Sequence, residues 1–318
     1  MQLNPNDIDN LTIDILKRFW NLNVSSLNRV DEEEGRCCYK AISTEAILFV
    51  KTQHDTGDFV EDLERGFRVQ SYLQSNGFPT NRVCPSINDA LVERFEGYGV
   101  VVEPWIDHVS FEKDLKSWNV FGQLVGQLHS VTVPNELSSC VSKMDPSWTL
   151  DKVLRQIEGS SHLVPEEFSV KFKSIQEQAS KLDDLRSVSR GLIHSDLAWG
   201  NVIQDTNGHY LLIDFEGGGI GPRIMDLVEV TTYLCRGPSA FGPLQEEAAI
   251  EFYRGYRDYY RLDSSEEAVF KQAHFFHQVY YLANSLSRDD FDFINRMAAR
   301  LDNWEKGVLD RLIEIAEN

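Results

Sequence analysis

GLIHSDLAWGNVIQDTNGHYLLIDFEGGGIGP, residues 191–222, holds two short apolar runs, Asn201 to Ile203 and Tyr210 to Ile213, on either side of Asn207-Gly208. An Asn-Gly pair between such runs signals a tight hairpin, because both residues tolerate the left-handed backbone the turn needs. Polar residues mark the outer ends of the runs. His194 and Asp196 precede Asn201 in the spacing H-x-D-x-x-x-x-N, and Asp214-Phe215 closes the second run. That spacing is a phosphotransferase layout. Transfer from ATP needs oxygen ligands for Mg2+ and one carboxylate beside the acceptor hydroxyl, all held on rigid strand ends. Asn201 offers a neutral amide oxygen and Asp214 an anionic one, a hard pair suited to Mg2+, while Asp196 can orient and deprotonate the acceptor. Asx residues also punctuate ordinary hairpins, but four matching positions around one strand-turn-strand unit favour the catalytic reading.

At these residues the sequence resembles the aminoglycoside phosphotransferase, choline kinase and homoserine kinase group, a branch of the protein-kinase-like fold, over nearly the whole chain. The resemblance implies an α+β, bilobal architecture, with a small N-terminal antiparallel-sheet lobe over residues 1–103 and a larger, mainly helical lobe over 104–318 that carries catalysis and substrate binding. It implies ATP and Mg2+ as cofactors, Asp196 as catalytic base, and Asn201 and Asp214 as metal ligands. His194 braces the loop rather than reacting. Gly221-Pro222-Arg223-Ile224-Met225-Asp226-Leu227 is similar to the group's G-x-x-x-x-D-L element, whose aspartate anchors the catalytic loop, so Asp226 is expected to be structural. GQLVGQLH, ending at His129, is similar to the group's helix that closes on Leu-His.

Upstream, the same resemblance makes Lys51, closing AILFVK, the lysine that contacts the ATP α- and β-phosphates. Its charge partner is expected on the helix at 58–75, where Glu61 and Glu64 both qualify and Glu64 is preferred; on the other reading both belong to a solvated face. Glu103-Pro104-Trp105 falls where the hinge between lobes should read adenine, through the Glu103 carbonyl and the Trp105 N–H, or else simply closes a strand. The resemblance has departures. Glu216 stands where protein kinases carry glycine, and Ser195 and Ala198 replace their arginine and lysine, so control by phosphorylation is not expected. The nucleotide loop VDEEEGRCCYK has one glycine, Gly35, and its acids Asp31 to Glu34 are expected to face solvent. Gly217-Gly218-Gly219 is expected to give mobility.

The flanking patterns fit two domains. Ile8, Leu11, Ile15, Leu16 and Phe19 recur at helical spacing over 6–20, and Leu27 to Val30, Cys37 to Ile42 and Ala46 to Lys51 read as an antiparallel meander. A helix over 58–75 stops at Asn76-Gly77, and Tyr98 to Val102 forms an apolar strand. Helices follow near 118–129, 149–159 and 165–185, then 243–261, 265–287 with Ser264 and Glu267 spaced as a capping box, and 290–316.

With 318 residues and 42% hydrophobic content, the chain is large enough for about two cores. Lys+Arg of 31 against Asp+Glu of 50 leaves a net charge of −19 and no basic run, which argues against nucleic acid as a partner. No apolar run spans a membrane and no leader is evident, so a cytoplasmic protein is expected. The five cysteines, at 37, 38, 84, 140 and 235, lack zinc spacing and read as reduced thiols.

The acceptor wall is expected on the helices at 243–261 and 265–287 and just beyond. Tyr256, His274, Asp289, Asp290 and Asp292 are the chosen candidates, from a wider set that includes Glu251, Tyr259, His277 and Tyr281. An acidic field would draw a cationic acceptor, which suggests an amine-bearing antibiotic or natural product; on the plainer reading the charge only maintains solubility. Two alternatives stand beside this one. The first is a metabolite or stress-response kinase acting on homoserine, a sugar or protein hydroxyls. The second is a non-catalytic nucleotide-binding module. The oligomeric state is not legible.

Overall fold

Side-chain alternation organises the first hundred residues. The computed structural model describes residues 5–33, 35–56, 58–109, 112–159, 166, 169–179, 182–236 and 244–286. In chain order its elements are α1 (Pro5–Trp20), β1 (Val24–Glu33), β2 (Arg36–Ser43), β3 (Ile47–His54), α2 (Phe59–Ser75), β4 (Glu93–Phe95), β5 (Tyr98–Pro104) and β6 (His108–Val109). Then come α3 (Leu115–Ser130), α4 (Pro146–Gly159), α5 (Ser169–Ala179), β7 (Arg190–Ile193), β8 (Val202–Asp205), β9 (Tyr210–Leu212) and β10 (Gly219–Pro222). The last are α6 (Ile224–Thr232), α7 (Glu246–Arg257), α8 (Ser264–Ala268) and α9 (Phe270–Leu286). The fold class is α+β, with an antiparallel sheet in the N-terminal part and helices in the C-terminal part.

The chain forms two compact units, Met1–Phe111 with Asn201–Gly218, and Glu112–Gly200 with Gly219–Asn318. The division is therefore not a single cut at 103/104. The hairpin β8–β9 joins the N-terminal residues because β6 pairs with β8 and Leu212 N–H donates to Pro79 O at 3.0 Å.

In the first unit the sheet order is β1-β2-β3-β5-β4. Residues that alternate along a strand face opposite sides. Tyr39, Val50, Val100 and Val102 share one core with Ile8, Leu11, Ile15 and Leu16 of α1. Val101 shares the other with Val60, Leu63 and Phe67 of α2. Lys51 pairs with Val101 and Phe49 with Glu103, so Lys51 and Glu103 lie on the α2 face. Strand β3 runs three residues past Lys51, which sits inside the strand and not beyond its end. Asp31 and Glu32 are exposed, in ion pairs with Arg36 and Arg29; Glu34 lies outside the described residues.

The second unit is mostly helical. The pattern over 165–185 resolves into α5 and a 3-10 turn at Asp183–Ser187. The helix expected over 265–287 is broken at Val269 into α8 and α9, and the capping box is formed by Asp263 with Glu266, one residue earlier than Ser264 with Glu267. Asp263 accepts from the Ser265 and Glu266 N–H groups, the N-cap role that aspartate fills as well as serine. The helix expected at 290–316 lies outside the described residues. Short strands β7 and β10 pair antiparallel, and β10 begins at Gly219. A Cβ there would come within 2.7 Å of Cys140 O, so this glycine is required by packing and is not a source of mobility. All five cysteines are free, and no helix among the described residues is long and apolar enough to cross a membrane.

Candidate active site

In the first unit the hairpin brings two expected ligands to one end. Asn201 immediately precedes β8 and Asp214 follows β9; the Ile213 N–H donates to Asn201 O at 2.8 Å, which fixes the two chain ends side by side. Asp214 has φ of +64°, the left-handed region that a non-glycine residue occupies at a cost of about 1–3 kcal/mol. Such strain persists only where surrounding contacts over-determine it. Here they come from Lys51, whose Nζ lies 2.7 Å from Asp214 Oδ1 and 2.7 Å from Glu216 Oε2. Burial works against the Lys51 charge, but the two carboxylates outweigh it and hold its pKa above the ordinary lysine value.

Glu64 is not the partner of Lys51. Its carboxylate accepts from Arg94 Nε at 2.8 Å on the exposed side of α2. The reason is Gly66: a Cβ at this position would collide with Phe215 O, so α2 presents a bare backbone face to the Asp214-Phe215-Glu216 turn. The turn, and not the helix, then supplies the counter-charge. In the sequence Glu216 is marked only by standing where protein kinases carry glycine.

Glu103 and Trp105 also differ from expectation. The Trp105 N–H donates to Ile47 O at 3.0 Å, extending the β3–β5 ladder, and bonded pairs recur every second residue, which commits the Glu103 peptide to Phe49. The Pro104 carbonyl accepts from Asn81 Nδ2 at 3.1 Å. What Glu103 offers is its side chain, which is buried on the Lys51 face and accepts from Gln70 Nε2 of α2 at 2.5 Å. Burial pushes its carboxyl up to about 7, with Asp214 adding to the rise and Gln70 and Lys51 opposing it.

The second unit carries the Asp196 loop. Ser195 has φ of +64°, a second strained residue, and the loop is held from several sides. Asp226, fully buried on α6, accepts from His194 N–H at 2.8 Å and from Ser195 N–H at 2.9 Å. Its Oδ2 also lies 3.1 Å from His129 Nε2, and His129 Nδ1 lies 2.9 Å from the Tyr256 hydroxyl. Burial lowers the His129 pKa, against the pull of Asp226. Ser195 Oγ and Ser142 Oγ are 2.6 Å apart, and Leu197 N–H donates to Glu229 Oε2 at 3.1 Å. His194 is itself buried.

This places two of the expected acceptor residues elsewhere. Tyr256 is buried, with its hydroxyl on His129, and His274 is buried with its ring nitrogens 3.3 Å from Thr231 Oγ1 and Thr232 Oγ1. Both are core polar residues supporting α3, α6 and α9 rather than an acceptor wall. Asp289, Asp290 and Asp292 lie outside the described residues. Ser142 and Glu229 are not legible in the sequence because no local pattern singles them out. His129, His194 and Asp226 are the sequence's pointers to the buried network.

An amide and a carboxylate at one hairpin end suit Mg2+, which takes few protein ligands and completes its shell with water and phosphate. Among the described residues no cluster of three or more His, Cys, Asp or Glu is placed to hold a metal ion. Lys51 adds a buried cation of the kind that suits a phosphate.

The phosphotransferase enzyme family matches residues 39–267. Among solved structures, a spectinomycin phosphotransferase in complex with ADP and spectinomycin is 15% identical with a TM-score of 0.64, covering 97% of each chain. An ethanolamine kinase of Plasmodium vivax is 16% identical with a TM-score of 0.67, covering 97% of this chain and 91% of its own. A microcompartment-associated aminopropanol kinase is 14% identical with a TM-score of 0.62, covering 96% and 99%. Comparison with curated protein sequences returns no match.

Proposed function

Because the chain belongs to the phosphotransferase enzyme family, whose members phosphorylate hydroxyl groups of small molecules, we propose that it transfers the γ-phosphoryl group of ATP to a small, amine-bearing hydroxyl acceptor. The observation that carries this reading is the hairpin end, where Asn201, strained Asp214 and the Lys51 ammonium converge within one unit. Mg2+ held by Asn201 and Asp214 would neutralise the phosphate charge that develops in transfer. Lys51, already charged and buried, orients the phosphates. Asp196 takes the acceptor hydroxyl proton while that oxygen bonds to the γ-phosphorus and the bond to the ADP oxygen breaks. With the Glu103 and Trp105 peptides committed to the sheet, the adenine edge falls to the chain after β5, beginning at Ile106.

An amine-bearing acceptor is supported by the net charge of −19 and by likeness to an aminopropanol kinase and an ethanolamine kinase. An antibiotic acceptor is supported by likeness to the spectinomycin enzyme. The test is ADP release with a panel of aminoglycosides, ethanolamine, 1-amino-2-propanol and their amine-free hydroxyl analogues, at low and high salt. Amine-bearing compounds should be preferred, and more so at low salt; equal rates for each pair at both salts would remove the cationic acceptor and leave phosphotransfer standing.

A further inference from the structure

Two carboxylates one helical turn apart on α6 reach the same loop. Asp226 accepts the peptide N–H groups of His194 and Ser195, on the N-terminal side of Asp196; Glu229 accepts that of Leu197, on its C-terminal side. The backbone torsions that aim the Asp196 side chain therefore lie between two buried tethers. Glu229 is 6% exposed, and the Tyr281 hydroxyl of α9 also donates to it. A buried glutamate here is expensive. Burial, with the charges of Asp196 and Asp226 adding, holds it well above the ordinary carboxyl range, and an apolar residue on this helix face would avoid that cost. Buried carboxyls disfavoured to this degree gather at functional sites. The strain at Ser195 makes the same point from the backbone, since a loop with a left-handed serine stays in place only while its neighbours are held.

We propose that Glu229 is a positioning residue for phosphoryl transfer: braced by Tyr281, it fixes the Leu197 peptide and thereby the direction of the Asp196 carboxylate. The inference rests on the phosphotransfer reading for its kinetic consequence, but the tether itself is a property of the free chain. Losing Glu229 leaves the Leu197 N–H without its acceptor and lets the loop turn, and misplacement of a reacting group by about 1 Å costs on the order of 10²-fold in rate. Glutamine can still accept the Leu197 N–H through its amide oxygen, so it separates the hydrogen bond from the charge.

The experiment compares full-length wild type, Glu229→Ala, Glu229→Gln and Tyr281→Phe. One readout is hydrogen exchange of the Leu197 and Ser195 amides; the other is kcat and KM for ATP with ethanolamine and 1-amino-2-propanol as acceptors. In Glu229→Ala the Leu197 amide should exchange at least about tenfold faster while Ser195 keeps its protection, and kcat should fall on the order of 10²-fold with KM for ATP within about twofold. Glu229→Gln should restore the protection and most of the kcat. Tyr281→Phe, which removes one hydroxyl and keeps the ring, should lower kcat several-fold and decides the matter should the alanine variant fail to fold. Wild-type protection of Leu197 or wild-type kcat in Glu229→Ala, a glutamine variant as impaired as alanine, or unchanged kcat in Tyr281→Phe would overturn the proposal. A wild type that turns over neither acceptor contradicts those acceptors for the phosphotransfer reading, and the Leu197 amide then decides the tether alone.

Discussion

Replacing Glu103 by glutamine should stabilise the protein at pH 8 and do far less at pH 5. In the fold the Glu103 carboxyl is buried on the Lys51 face of the sheet and stands at about 7, against an ordinary value of 4.5. Between those two values the unfolded chain gives up the proton while the folded chain keeps it. Stability therefore falls as pH rises from 4.5, and levels off above about 7 once both states are ionised. The whole fall corresponds to roughly 3 kcal/mol at 1.36 kcal/mol per pKa unit. Glutamine does not titrate, and its amide oxygen can still accept from Gln70 Nε2, which lies 2.5 Å from Glu103 Oε1. Part of that fall lies below pH 5, so the variant should gain about 2.5 kcal/mol relative to wild type on going from pH 5 to pH 8. At about 2.1 cal/mol/K per residue the unfolding entropy of 318 residues is about 0.67 kcal/mol/K, or about 1.5 °C per kcal/mol, so the relative rise in Tm is about 4 °C. Differential scanning calorimetry of both proteins at the two pH values measures it. A difference between variant and wild type that is the same at pH 5 and pH 8 would mean that Glu103 is not held protonated by burial.

Three further outcomes follow from the geometry. Asp214→Asn should weaken Mg·ATP much more than adenosine, since only the former uses the anionic ligand, and calorimetric titration with both ligands reads the difference. Gly66→Ala, which by helix propensity alone would gain about 1 kcal/mol, should instead destabilise by roughly 2 kcal/mol or more because its methyl group meets Phe215 O; denaturant unfolding gives the sign. Asp196→Ala should leave ATP binding nearly intact and lower turnover by roughly 10² to 10⁴, as seen in single-turnover rates beside ATP titrations.

The hairpin was legible because all its signals are local. The Asn207-Gly208 turn, the apolar runs and the H-x-D-x-x-x-x-N spacing lie within one short stretch. The meander was legible for the same reason, and its strands extend past their apolar cores because β ladders tolerate the polar ends of β1 and β3. What escaped the sequence depends on contacts between distant segments. Leu197 and Glu229 are 32 residues apart and Ser142 and Ser195 53 apart, and neither pair forms a pattern along the chain. The choice of Glu64 failed because helix spacing shows which residues share a face but not that Gly66 brings α2 against a backbone turn. The hinge reading failed at Trp105 because the register that spends its N–H on Ile47 is fixed by pairing, not by composition. Tyr256 and His274 looked like ligand residues because polar aromatics on a helix look alike whether they line a pocket or, as here, satisfy a buried neighbour.

The most direct test of the account is to incubate wild type and Asp196→Ala with Mg2+, ATP labelled on the γ-phosphate and the amine-bearing acceptors, and to identify the labelled product by mass spectrometry. A phosphomonoester should form on the hydroxyl of at least one acceptor, at a rate that Asp196→Ala lowers by roughly 10² to 10⁴ while ATP binding persists. Bound ATP whose label reaches no acceptor, or transfer that proceeds equally fast without Asp196, would contradict it.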